Sequence, residues 1–242
     1  MAKTTNSIRS YFLTTHTLLY SYLISLPLLL AYEVLIYIAQ PNAEQIVRIS
    51  VDVWVKTLFS YVGQDVLSIT LIFVALLGIY VLYSERNRLS SLKLRYFGVM
   101  ILESSVYAFI LGLLLTVTVS NLLQMVQTSP MESLSIIQQL ALSLGAGLYE
   151  ELFFRVILVT SLLYIFKRLF SNNYISWGSA IILAALIFSF VHYVGVMGDP
   201  FTFGSFLFRF LFGLALNAIY LWRGFGIAAW THAIYDLMVI IY

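Results

Sequence analysis

Residues 138–166, QQLALSLGAGLYEELFFRVILVTSLLYIF, decide the fold. A helix crosses the hydrocarbon core of a bilayer in about 20 apolar residues at 1.5 Å of rise each, and this stretch is long enough. It nevertheless carries three charges within six positions, Glu150, Glu151 and Arg155. Six similar apolar runs surround it, at roughly 17–39, 64–83, 98–120, 177–197, 206–222 and 226–242. In lipid each backbone polar group must be satisfied within its own segment or a closed barrel, and the period-2 alternation of a barrel is absent. The chain therefore reads as all-α, a polytopic transmembrane helix bundle of about seven spans.

Composition agrees. Of 242 residues 61% are hydrophobic and only 10% charged, with a mean hydropathy of +0.94, whereas a soluble domain carries about 25% charged residues. Seven spans of about 20 residues use well over half the chain, which leaves one integral membrane domain. A net charge of +2 indicates no nucleic-acid partner, so the lipid bilayer is the first partner to expect. The absence of cysteine excludes disulfides, thiolate metal sites and a cysteine nucleophile. Lys3 and Arg9 precede the first apolar run, and no small-residue cleavage site follows, so the start reads as leading into an anchor and not as a removable signal peptide.

The basic residues set an orientation. With the N-terminus cytoplasmic, the inner side collects Lys3, Arg9, Arg86, Arg88, Lys93, Arg95, Lys167, Arg168 and Arg223, and the outer side only Arg48 and Lys56. That bias predicts N-in, C-out, in a membrane that we expect to be the bacterial cell membrane. The segment 41–63 mixes Arg48, Asp52 and Lys56 with Val47, Ile49, Val51, Val53, Trp54, Val55 and Leu58, and reads as an interfacial helix on the outer surface.

A charge at the bilayer centre costs about 2.5–3.5 kcal/mol on insertion scales, so each one within a span needs a reason. Glu151 and Arg155, four apart, share a helix face and can pair. Glu150 is left with no partner in its own helix, and a carboxyl so placed can take a proton from water. A purely structural charge network is the competing reading, and the span alone leaves both open. Two histidines add to it. His192 closes Phe188-Ser189-Phe190-Val191-His192 in the fifth span, and His232 stands four residues before Asp236 in the seventh. That second spacing suits two ligands of one metal, or a carboxylate orienting an imidazole. Glu150, His192, His232 and Asp236 could hold a divalent metal, zinc first, with an open position for water, or activate water without one. His16 lies near the membrane boundary and reads as interfacial. Glu103 lies near the inner end of its span, and Glu33 could pair with Arg209 or another polar group.

Glu150-Glu151-x-x-x-Arg155, Phe188-x-x-x-His192 and His232-x-x-x-Asp236, in that order on successive spans, resemble the three motifs of the CPBP intramembrane proteases, also called the Abi or CAAX-protease family. The resemblance covers about residues 136–242 and divides the chain into N-terminal membrane helices and connecting loops, 1–135, and a catalytic helical core, 136–242. It implies hydrolysis of a peptide bond in a membrane-embedded or lipid-anchored protein or peptide, with metalloprotease chemistry as one form. Glu150 and His192 would activate the attacking water, Glu151 and Arg155 would shape the site, and Phe188 would pack beside His192. His232 and Asp236 would stabilise the oxyanion or help to hold a metal. An ionised Asp236 cannot donate to an oxyanion, so it would be protonated, bind metal or orient His232. A silent scaffold or bacteriocin-immunity protein of the same family, or an ion or proton transporter, are the alternatives. Against transport, no inverted repeat or pair of broken helices is visible.

The site residues must meet at one depth. Glu150 is 17 residues from Lys167 and His192 is 15 from Trp177, which places both about 22–26 Å above the inner boundary. His232 is nine residues beyond Arg223, only about 13 Å. A common site therefore requires the turn Arg223-Gly224-Phe225-Gly226 to lie inside the membrane, with Arg223 snorkelling down to the interface. The same arithmetic puts the site nearer the outer surface. A single cysteine introduced as Asp199→Cys should label with an impermeant maleimide from outside the cell, and labelling only from inside would reverse the orientation.

Overall fold

The computed structural model describes residues 2–39, 48–60, 66–123, 134–195 and 198–241, and every regular element among them is helical. In chain order these are α1 (Ala2–Thr15), α2 (Leu18–Ala39), α3 (Ser50–Ser60), α4 (Val66–Ser84), a 3-10 turn (Arg86–Ser91) and α5 (Arg95–Leu123). One long helix follows, built of α6 (Ile136–Gly145), two π-helical stretches (Ala146–Glu150 and Leu152–Val159) and α7 (Thr160–Leu169). The chain continues through α8 (Asn173–Val191) and α9 (Phe203–Arg223) to α10 (Phe225–Ile241). The protein is an integral, multi-pass membrane bundle, and each of the seven apolar runs corresponds to one of these helices. Among the described residues, Leu18–Ala39, Arg95–Thr118, Asn173–Val191 and Phe203–Arg223 are each long and apolar enough to cross a membrane, and Ile72–Ser84 and Phe225–Ile241 are shorter apolar helices.

Local chemistry sets the boundaries. Ser135 Oγ accepts from the Gln138 amide at 3.3 Å while Gln138 Oε1 accepts from the Ser135 amide at 2.9 Å, a capping box that starts α6. Asn172 and Thr202 cap α8 and α9 by accepting from Tyr174 N (2.8 Å) and Ser205 N (3.2 Å). The largest departure from expectation is at 177–197. That helix begins four residues earlier, at Asn173 after its Asn172 cap, and stops at Val191, so that His192 stands just past its end. Gly224, at φ +86, ends α9 in the left-handed region that glycine adopts without strain.

α10 is the centre of the bundle, packed on α2, α5, α6, the first π stretch and α9. Its buried residues include four small ones, Gly226, Ala228, Ala229 and Ala233, which in lipid let helix backbones approach closely. The closest approach is at Gly147, where a Cβ would stand 2.5 Å from Ala229 O and 2.6 Å from Ala233 Cβ. Large apolar side chains of α4 and α5, such as Phe73, Leu76, Ile79, Leu102, Phe109 and Leu113, point outward, where a membrane presents acyl chains and not water.

Two polar features, α3 and Arg223, differ from expectation, and Glu33 takes the second of its two expected kinds of partner. α3 does not lie with its charges in water. Arg48, Asp52 and Lys56, spaced by four, turn toward α2, where Arg48 and Lys56 each pair with Glu33 at 3.0 Å. Asp52 is buried, pairs with both cations at 3.0 Å and accepts from Tyr32 OH at 2.7 Å. The rest of the expected interfacial segment, 41–47 and 61–63, lies outside the described residues. Glu33 thus pairs with Arg48 and Lys56, while Arg209 pairs with Asp199. Finally, Arg223 does not snorkel. Its guanidinium is buried, bonded to Glu103 at 2.5 and 2.9 Å, to Thr15 Oγ1 at 2.9 Å and to Phe12 O at 3.3 Å.

This last pair resolves the depth arithmetic. Glu103 is eight residues into α5, about 12 Å above its start, and Arg223 lies at that height. Nine further residues bring His232 within 2.7 Å of Glu151 and so to the level of the neighbouring Glu150. The Gly224 turn is accordingly enclosed, packed against Ser21 Oγ and His16 O where α1 meets α2.

The Gly147 contact predicts a sharp contrast. Gly147→Ala should cost about 1–3 kcal/mol by overpacking against backbone. Gly178→Ala, whose Cβ would meet nothing within 4 Å, should be neutral or stabilise by up to about 1 kcal/mol. Thermal unfolding in detergent reads both, and equal Tm values for the two variants would contradict the packing.

Candidate active site

Glu150 and Glu151 stand at the junction of the two π-helical stretches. Such wide turns recur at functional sites and redirect side chains relative to an α-helix. The two carboxylates take different partners. Glu151, fully buried, accepts from His232 Nδ1 at 2.7 Å, and its other oxygen lies 3.0 Å from Arg155 Nε. The Arg155 contact is close enough for an ion pair but is not directed as a hydrogen bond, so the guanidinium is held by charge and by the Phe188 ring, 4.4 Å away. Glu150 points to α8, where its Oε2 is 3.8 Å from His192 Nε2 and receives no hydrogen bond from the protein.

The tautomers follow from the partners. His192 Nδ1 lies 2.7 Å from Phe188 O. A carbonyl only accepts, so Nδ1 carries the hydrogen and a neutral His192 presents a bare Nε2 toward Glu150. His232 likewise donates from Nδ1 to Glu151, leaving Nε2 3.5 Å from Asp236 Oδ2. Asp236 and His232 are one turn apart on α10, as their spacing requires.

Phe188 is the hub of this arrangement. Its ring stands edge-on to His192 (4.9 Å), His232 (6.1 Å) and Phe154 (5.1 Å), with Arg155 over its face. It is held in turn by Gly213 of α9, where a Cβ would come within 2.9 Å of the ring. Phe212 supports the other side of His232 at 5.2 Å. The structure therefore brings together all seven residues singled out in the sequence, Glu150, Glu151, Arg155, Phe188, His192, His232 and Asp236, from the long helix, the end of α8 and α10.

The four expected metal ligands are not gathered as a ligand set. Among the described residues no group of three or more His, Asp or Glu side chains is placed to hold a metal ion. Glu150 faces His192, and His232 is engaged by Glu151. As placed, these four side chains do not form a metal centre.

Residues 132–238 match the family model described as type II CAAX prenyl endopeptidase Rce1-like. Over this segment the chain is similar to the CAAX-protease (CPBP) family. Neither a curated protein nor a solved structure matches the chain. The CAAX-protease segment starts just before α6 and ends in α10, so it contains the long helix and both histidines. It leaves out α1 to α5, which supply the Arg223 and Glu33 partners.

A polar group escaped the sequence reading. Just beyond His192, Tyr193, Asp199, Ser205 and Arg209 form a connected cluster at the α8–α9 end of the CAAX-protease segment. The available signal was Arg209 itself, a cation inside a span with no acid on its own helix.

The central ion pair yields a stability test. Glu151→Gln leaves Arg155 buried without a counter-charge and should cost about 3–5 kcal/mol. The double variant Glu151→Gln/Arg155→Met should recover most of that loss, because it removes both charges. A single variant as stable as the parent in a detergent melt would show that the pair does not hold the bundle.

Proposed function

We propose that the protein is an intramembrane endopeptidase of the CAAX type, which hydrolyses a peptide bond of a membrane-embedded or lipid-anchored protein or peptide with water activated by Glu150 and His192. The observation that carries this reading is the Glu150–His192 pair. Two acceptors, a carboxylate oxygen and a bare imidazole nitrogen, face each other at 3.8 Å, and the carboxylate oxygen has no donor from the protein. A water molecule that donates one hydrogen to each keeps its lone pairs free for a carbonyl carbon.

The atoms then balance without further groups. The water oxygen bonds to the scissile carbonyl carbon, its proton passes to Glu150, and the carbonyl π electrons move onto oxygen. His232 is set to meet that oxyanion. Held by Glu151 at Nδ1 and flanked by Asp236 at Nε2, it is supported on both sides as an imidazolium, and that form donates from Nε2. Collapse of the intermediate breaks the C–N bond, and the proton on Glu150 goes to the leaving nitrogen. Asp236 serves by orienting and balancing His232, which removes the difficulty of an anionic oxyanion donor. Arg155 and Phe188 fix the geometry of the two histidines.

The site lies beside α3, which packs on the first π stretch, and beside the α8–α9 connection, which His192 opens. With the N-terminus cytoplasmic these mark the outer end, and an anchored or exported substrate cut near its outer end fits better than a cytosolic one. Residues 1–135 act in this reading as the supporting helices of the 136–242 core.

Glu150→Gln and His192→Ala should each lower cleavage by about 10²–10⁴-fold, the usual worth of a general base, without lowering Tm. The measurement is a comparison of membrane peptides from cells expressing the parent or Glu150→Gln, followed by cleavage of the identified peptide with purified protein. Chelators should leave that rate unchanged. Identical peptide profiles would leave a silent scaffold as the better account, and loss of activity in chelator, restored by zinc, would replace the metal-free chemistry.

A further inference from the structure

His192 occupies an exposed-backbone position for a residue with a chemical task. It is the first residue past α8, so its carbonyl has no place in the helical ladder and its backbone is not fixed by a following turn of helix. Its ring is tied to its own helix through Phe188 O, which fixes the ring relative to the backbone but not the backbone relative to Glu150.

The missing constraint comes from α9. The Asp199 amide donates to His192 O at 2.9 Å. The Asp199 carboxylate is ion-paired with Arg209, whose guanidinium also donates to Tyr193 OH at 2.9 Å and to Ser205 Oγ. Tyr193 OH and Ser205 Oγ are 2.6 Å apart, and the guanidinium lies over the Tyr193 ring. One turn earlier, Ser189 Oγ donates to Phe206 O at 2.7 Å. The residue before the turn, the residue after it and the carbonyl of His192 itself are thus tied to the first two turns of α9, with Arg209 as the shared anchor.

We propose that the Arg209–Asp199 ion pair is a clamp that holds His192 in register with Glu150, which makes Arg209 a positioning residue of the hydrolytic site. The proposal rests on the endopeptidase reading for its kinetic consequence, but its geometric content stands alone. Neither residue belongs to the three motifs. Both side chains keep 21% of their surface exposed, so losing one of the two charges need not unfold the bundle. The value of the pair is therefore in placement. A displacement on the order of 1 Å at a catalytic group can cost about 10²-fold in rate with the fold intact.

The test uses the full chain in nanodiscs, with Arg209→Lys, Arg209→Gln, Asp199→Asn and the exchange Asp199→Arg/Arg209→Asp. Two quantities are read: kcat and KM on a peptide that the parent cleaves, and the mobility of a nitroxide on Val194→Cys, an exposed site two residues past His192 in a chain without other cysteines. Arg209→Gln and Asp199→Asn should each lower kcat by about 10- to 100-fold with KM nearly constant, and should mobilise the Val194 label with little change in Tm. Arg209→Lys should retain part of the rate, and the exchange should recover part of what each single variant loses. An unaltered label in both single variants overturns the clamp, whatever the activity. If Asp199→Asn keeps full kcat while Arg209→Gln raises KM, the guanidinium binds an anionic group of the substrate and the clamp is wrong. If the parent and Glu150→Gln are equally inactive, the endopeptidase reading fails, and the label alone still decides the clamp.

Discussion

The carboxylate of Glu151 is the point on which the rest of the bundle turns. It is fully buried, it accepts from His232 of α10 at 2.7 Å, and it lies 3.0 Å from Arg155 one turn along its own helix. In a low-dielectric interior neither charge is tolerable alone, so the pair must form together and must stay together. The His232 bond to the same carboxylate sets the distance between the long helix and α10, and Gly147 with the alanines at 229 and 233 lets the two backbones approach that closely. A small-residue stripe that would otherwise be a generic packing motif is here the condition for placing a histidine.

The remaining buried charges obey the same rule at the two ends of the molecule. Glu103 and Arg223 join α5 to the end of α9 and hold α1 through Thr15 and Phe12. Glu33 and Asp52 with Arg48 and Lys56 fasten α3 to α2, and Tyr149 reaches Glu33 at 3.4 Å from the residue next to Glu150. Arg209 and Asp199 join α8 to α9. Each group balances its charge, as the cost of an unpaired ion in lipid demands, and the first two tie peripheral elements to the core. α1 to α5, outside the CAAX-protease segment, are thereby linked to it by directed polar contacts as well as by apolar packing.

Much of this was legible in the sequence because lipid makes the rules strict. Seven apolar runs gave seven helices, and the i, i+4 spacing correctly paired Glu151 with Arg155 and set His232 beside Asp236. What could not be read was any partner on a different helix. Glu33 had several cations within reach, and the choice of Arg48 and Lys56 depends on α3 folding back onto α2, which hydropathy does not encode. Arg223 looked like a boundary marker because a terminal arginine usually snorkels, and only the presence of Glu103 and Thr15 at the same height makes burial the cheaper outcome. The end of α8 was overestimated because Val194 is as apolar as the helix before it, so hydropathy runs through the turn.

Adjacent glutamates usually repel, and here their difference in surroundings divides the work. Successive residues of a helix point in different directions, so Glu151 faces α10 while Glu150 faces the end of α8. The Glu151 carboxylate is already engaged by a histidine and an arginine. Glu150 has neither obligation, since its Oε2 receives no donor from the protein. The pattern Glu-Glu-x-x-x-Arg is then intelligible as one structural acid, one cation that makes its burial tolerable, and one acid left free to accept a proton. This division supports Glu150 as the base, and it explains why the two carboxylates need to be neighbours: the rigid one fixes the helix from which the free one projects.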